Sequence, residues 1–149
     1  MLYGRENVRT PAVAGAFYPG HAQQLKTAVE RFLVRTLEPL KPMAVIVPHA
    51  GYVYSGATAG KTFACVELPR KLVILCPNHT GWGEPLSCMA SGRWSTPLGE
   101  VPVDEELARS LMAEIPSLAD DPGAHRREHA VEVQLPFLQV MLGDFRFVP

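Results

Sequence analysis

Residues 43–56 read MAVIVPHAGYVYSG and residues 72–81 read LVILCPNHTG, and the fold follows from how these two stretches echo one another. Each opens with a short continuous apolar run, Met43 to Val47 and Leu72 to Cys76, of the Val- and Ile-rich kind expected of a strand covered on both faces. Between them, Ser55 can cap a helix carrying Ala57, Ala59, Thr62 and Phe63. Strand, helix and strand form a βαβ unit. Such a crossover is nearly always right-handed and leaves the two strands parallel, so their carboxyl ends open on the same sheet edge.

Outward from this unit, the same α/β pattern continues. Upstream, residues 1–20 hold Pro11, Gly15, Pro19 and Gly20 around the apolar stretch Ala12 to Tyr18, which reads as a leading arm or edge strand. From His21 to Arg35, Leu25, Val29, Phe32 and Leu33 recur at helical spacing while Gln23, Lys26, Glu30 and Arg31 fill the other faces. Downstream, Leu86 to Ala90 and Arg93 to Ser95 look like short strands, and Thr96-Pro97-Leu98-Gly99 suits a turn. Asp104 caps a helix from Glu105 to about Ile115. After a Pro/Gly break at 120–123, a helical stretch from about Arg126 to Leu142 should be kinked by Pro136. Phe145 to Val148 alternates as a strand would, with no covering helix after it, so the 149 residues are expected to be one α/β domain cut from a longer fold and inclined to self-associate through that strand.

The 47% hydrophobic and 19% charged residues are ordinary for a globular domain. A net charge of -1 offers no basic field for a phosphate backbone, which argues against nucleic acid. No apolar run approaches the roughly 20 residues of a membrane helix, and the charged opening MLYGRENVRT is unlike a signal peptide, so a soluble cytoplasmic protein is expected. Cys65, Cys76 and Cys88 lack CxxC spacing and read as reduced packing thiols.

The chemistry sits where the two apolar runs end. His49 in Pro48-His49-Ala50-Gly51 and His79 in Pro77-Asn78-His79-Thr80-Gly81 each lie just beyond a strand. Adjacent parallel strands lie about 4.8 Å apart, so both imidazoles can reach one metal ion. Either histidine alone is better read as a hydrogen-bonded loop residue; their equivalent placement favours a shared site. Mononuclear Fe(II) is the natural ion, with zinc or copper as alternatives, because imidazole suits each. Tyr52 and Tyr54, before Ser55-Gly56, are candidate substrate contacts or else packing residues with one wet end, and Asn78 belongs to the same group. Trp82 and Gly83 read as a surface loop more readily than as a pocket wall.

His125-Arg126-Arg127-Glu128-His129 formally matches H-x-x-E-H, the zinc-peptidase pattern in which two histidines on a helix bind metal. Asp121-Pro122-Gly123 directly before it breaks the required helix, which weighs against a peptidase. Glu128, His129 and Glu132 are better placed on the first turns of the last helix, bordering the histidine pair. There His129 and Glu128 are candidate proton-transfer groups, or groups that hold a ligand imidazole in position, against the plainer reading of a solvated helix start.

Taken in order, VRTPAVAGAFYP, VPHAGYVYSG, CPNHTG, WSTPLGEVPVD and EHAVEVQLPFLQ resemble the successive motifs of the Memo family, called AmmeMemoRadiSam system protein B in prokaryotes. The resemblance implies a fold similar to class III extradiol, non-haem iron dioxygenases: a three-layer α/β sandwich with a central, largely parallel sheet flanked by helices. It also implies that His49 and His79 are two metal ligands, with Glu128 and His129 in a neighbouring EH motif. The family's other site residues, including a cysteine ligand, belong to a C-terminal half without counterpart here, so a third ligand is expected outside this chain. The prokaryotic family name implies radical-SAM and AMMECR-type partners in a modification pathway. Eukaryotic relatives, linked to cell motility signalling, motivate the rival expectation of a non-catalytic module that binds a peptide or partner in the same cleft.

Overall fold

The computed structural model describes residues 7–34 and 38–149. The arm enters as β1 (Val8–Arg9) and leads to α1 (Ala22–Phe32) and α2 (Tyr52–Ala64). Next come β2 (Lys71–Val73), β3 (Ser87–Cys88), β4 (Arg93–Thr96) and β5 (Gly99–Pro102). Then follow α3 (Glu105–Glu114), β6 (Ala119–Asp120), α4 (Pro122–His125), a 3-10 turn (Glu132–Gln134), α5 (Leu135–Leu142) and β7 (Arg146–Val148). Pairings β1 with β4, β2 with β7 and β3 with β6 are parallel, and β4 with β5 is antiparallel. An isolated bridge from Val103 to Phe147 joins the hairpin region to β7. The α/β sandwich expected from the sequence is therefore present, with a largely parallel set of short strands and helices packed against them.

Of the four positions its periodicity put inward, helix α1 buries Leu25 and Val29 completely, while Phe32 and, just past its end, Leu33 are partly buried against the core. Its Phe32 lies across α2 at Gly56 and Gly60, where a Cβ on Gly56 would come within 2.6 Å of the ring and one on Gly60 would collide with Phe32 itself. Helix α2 lays Tyr52 and Phe63 against Phe137 of α5, with ring centroids 5.0 and 5.3 Å apart. Asp104 caps α3 as expected, accepting from the Leu107 N–H at 3.1 Å. The expected turn closes the β4–β5 hairpin, with Gly99 at φ +119. No helix among the described residues is long and apolar enough to cross a membrane.

Four expectations are corrected. Residues 43–47 form no strand among the described residues, and β2 pairs with β7, so the βαβ unit survives only as helix and second strand. Ser55 does not cap α2, because extended Gly51 starts the helix a turn earlier, and the Ser55 hydroxyl donates back to the Ala50 carbonyl at 2.9 Å. The helix anticipated from Arg126 begins at Leu135, where Pro136 occupies the first turn that tolerates it and no kink is needed. Finally, β7 is not bare: Phe147 and Val148 are buried, paired with β2 and bridged to Val103. The end of the helix expected to reach Arg35 lies outside the described residues; within them α1 closes at Phe32.

The arm is fixed by one fully buried carboxylate. Glu132 pairs with Arg9, accepts from the N–H groups of Ala12 and Val13 at 2.8 and 3.0 Å, and accepts from the Tyr18 hydroxyl at 2.6 Å. Arg9 also donates to the carbonyls of His125 and Glu128 at 3.1 and 2.6 Å and lies 4.3 Å from the Trp94 ring centroid. Removing one partner leaves the other charge buried and uncompensated. Glu132→Ala should therefore lower unfolding free energy by about 3–5 kcal/mol in urea denaturation; a loss below about 1 kcal/mol, the worth of an exposed pair, would show that the arm is held by other contacts.

Candidate metal centre

His49, His79 and His129 face one another although they come from three separate segments. Ring centroids lie 5.1 Å apart for His49 and His79, 5.8 Å for His49 and His129, and 4.5 Å for His79 and His129. One nitrogen from each falls within 4.8 Å of the other two. The pairing of His49 with His79 anticipated from the sequence is thus present. The third imidazole was not expected there: His129, read from the sequence as a candidate proton-transfer group, lies close enough to both for the three together to be able to hold a metal ion.

His49 is set by its surroundings rather than by a ladder. The Pro48 carbonyl accepts from Gln134 Nε2 at 3.1 Å, and the Tyr52 N–H at the start of α2 donates to the Phe17 carbonyl at 2.7 Å. His79 is held from the other side. Asn78 folds its loop by accepting from Thr80 and Gly81 N–H groups at 3.0 and 2.9 Å and by donating to the Trp82 carbonyl at 2.7 Å. Asn78, a candidate substrate contact, therefore spends its amide on its own turn.

Glu128 joins the second and third histidines. Its carboxylate accepts from the backbone N–H of His79 at 2.7 Å, of His129 at 2.8 Å and of Ala130 at 2.9 Å. His79 Nδ1 lies 2.9 Å from the same carboxylate. An ionised carboxylate only accepts, so His79 Nδ1 is the donor in this contact. Burial by itself would raise the Glu128 pKa, but these donors outweigh it and hold it near 2. For His129, burial lowers the pKa from its ordinary value; His79 and His49 push the same way, and Glu128 opposes them. Neutral imidazoles are the ligand form.

A cavity of about 660 Å³ opens over the three rings, walled by Ala16, Phe17, Pro48, Val53 and Tyr54. Tyr54 stands exposed at this wall, whereas Tyr52 is buried and donates its hydroxyl to the Val133 carbonyl at 2.9 Å. Phe17 packs edge-on against His129, centroids 5.0 Å apart. Phe17 was not among the sequence candidates; it lay within a stretch read as a structural arm, and only the VRTPAVAGAFYP phrase marked it. Trp82 is half exposed beneath the Arg127 guanidinium, 5.4 Å from its centroid. His125 is buried and faces Trp94 instead of the cluster, and the formal H-x-x-E-H pattern has no helix to carry it.

A family model described as Memo-like protein matches residues 9–149. The chain is 47% identical over 146 residues to a MEMO1 family protein of Aquifex aeolicus, covering 95% of this chain and 54% of that one. It is 48% identical over 153 residues to a MEMO1 family protein of Thermococcus onnurineus, covering 95% and 52%. A MEMO1 family protein of Thermotoga neapolitana is 41% identical over 157 residues, covering 95% and 57%. The chain thus spans about half the length of the curated relatives it matches.

Acid should destabilise the metal-free protein in two stages. The pKa values of His125 and His129 are lowered in the fold, so the unfolded chain takes up protons first as pH falls below about 6.5, and stability declines. Glu128 is ionised in the fold down to a pKa of about 2, against 4.5 ordinarily, so its contribution is complete above 4.5 and disappears as pH falls toward 2. That lower stage is worth on the order of 3 kcal/mol. Urea denaturation across pH should show both, and Glu128→Gln should flatten the lower one; a wild-type curve flat between pH 4.5 and 3 would refute the assignment.

Proposed function

The chain belongs to the Memo-like family, and from that premise we propose that His49, His79 and His129 hold one divalent transition-metal ion, Fe(II) ahead of zinc or copper, in an oxidoreductase-type site. The observation that carries this is the convergence of three ligand nitrogens within 4.8 Å below an open apolar cavity. The donor set fits. Three neutral imidazoles suit iron, zinc and copper alike, and three protein ligands leave coordination positions for a substrate. Such an ion would supply Lewis-acid chemistry when bound, and iron or copper would add redox chemistry.

This chain's own residues do the positioning. Glu128 keeps the proton on Nδ1 of His79 and so presents Nε2 to the cavity. Phe17, Pro48 and Val53 offer an apolar wall that displaces water from one side of a bound molecule, and Tyr54 places a phenol at its rim. By family resemblance, the proposed setting is a cytoplasmic modification pathway shared with radical-SAM and AMMECR-type proteins. A second reading, a binding module without catalysis, is favoured by the 93% and 87% exposure of Val53 and Tyr54, which suits capture of an apolar peptide segment over the cleft.

Metal analysis after anaerobic loading with Fe(II), Zn(II) or Cu(II) tests the site. Wild type should retain one ion per chain, and His49→Ala, His79→Ala and His129→Ala should each reduce retention at least tenfold. Glu128→Gln should weaken affinity by about 10–100-fold without abolishing it. Equal uptake by wild type and all three alanine variants would exclude the centre. Peptide or partner binding that persists unchanged in the metal-free variants would favour the binding module.

A further inference from the structure

His125 is buried outside the histidine cluster. It closes α4 with 5% of its surface exposed and its ring set edge-on to the Trp94 indole, centroids 5.9 Å apart. The Ser87 carbonyl of β3 meets one ring nitrogen. The other, Nε2, is buried without a hydrogen-bond partner among the described residues. Trp94 Nε1 is buried and unpartnered among them too, but it is a donor and gives a protonated Nε2 nothing to bond. A neutral ring therefore leaves only a lone pair unused, whereas an imidazolium buries both a charge and an N–H that lacks an acceptor.

Arg9 dominates the charge around this ring. Its guanidinium lies 4.3 Å from the centroid of the same indole, its Nε donates to the His125 carbonyl at 3.1 Å, and β1 pairs Arg9 with Trp94 of β4. Arm, indole and imidazole are thus one packed unit, with Glu132 paired to the guanidinium behind it. Asp121 on α4 and Glu128 on the following segment are the opposing charges, and both are committed elsewhere. Asp121 accepts from the N–H groups of Glu84 and Gly123, each at 2.9 Å, and Glu128 from those of His79, His129 and Ala130. Burial first, and Arg9 with it, lower the ring's affinity for a proton against the pull of Ser87, Asp121 and Glu128. We infer that His125 is a proton-operated latch on the arm: its neutral ring lets Arg9 dock β1, and its protonation drives Arg9 off and lifts the arm from Val8 to Tyr18. Phe17 rides on that arm. Because its ring packs on His129 and walls the cavity, acid uncovers the His129 side of the cluster.

The test is amide exchange of the metal-free chain between about pH 7.5 and 5, corrected for the intrinsic effect of pH on exchange. Protection at 8–18 should fall at least tenfold with acid and end at least tenfold below that of α5, so that the arm opens while the core stays closed. His125→Phe keeps an aromatic ring against Trp94 but takes no proton, and it should abolish the acid response of the arm. His125→Gln, a second neutral variant, should do the same. His129→Gln should leave the response in place, which separates the latch from titration within the cluster. Equal protection of arm and α5 throughout, an opening confined to α4, or a response that survives both His125 variants would each overturn the inference, as would its loss in His129→Gln.

Discussion

The buried pair of Arg9 and Glu132 is the contact on which the arrangement of the site depends. Two charges removed from water are costly, and the cost is offset only when every donor and acceptor is met. Here they are met widely. Glu132 takes two backbone N–H groups and the Tyr18 hydroxyl besides the guanidinium, and Arg9 spends its remaining donors on the carbonyls of His125 and Glu128. One pair therefore fastens the arm, the segment from His125 to Glu132 and, through Phe17, a wall of the cavity. The benefit is definition more than stability, since an apolar pair of equal volume could match its energy but could not hold two carbonyls in register.

That register explains the two neighbouring carboxylates. Glu128 and Glu132 are both buried, and their spacing would put them on one helical face, yet their tasks differ. Glu132 closes on the arm, whereas Glu128 closes on His79 and on the N–H groups of His129 and Ala130. With its oxygens committed in this way, Glu128 ties the His79 and His129 segments together beside the candidate site. The candidate ligand set is all imidazole, whereas the sequence reading offered His49 and His79 and expected a third ligand outside the chain.

Much of the fold was legible because it depends on local chemistry. The stripe of Leu25 and Val29, the Asp104 cap and the turn at Gly99 need only their own neighbours. His49 and His79 were legible as a pair because both follow an apolar run and a proline. The segment from Arg126 to Gln134 was not. Its apolar spacing fits a helix, but the Glu128 side chain captures the N–H groups of His129 and Ala130, the competition by which a short acidic side chain can displace helical bonding. No periodicity records that choice, so the sequence could set His129 beside the histidine pair only as a helix-borne neighbour and not as part of the cluster.

The missing strand at 43–47 raises the question of how His49 still reaches its place. A strand-end position was inferred from a ladder, and there is no ladder among the described residues. The residue is instead located from its far side: α2 begins at Tyr52, whose N–H is taken by Phe17 and whose ring is locked between Tyr18, Phe32 and Phe137. On the other side of His49, Gln134 donates to the Pro48 carbonyl and fixes the chain just before the imidazole. His49 is therefore placed by the buried aromatic cluster and the arm and not by strand pairing.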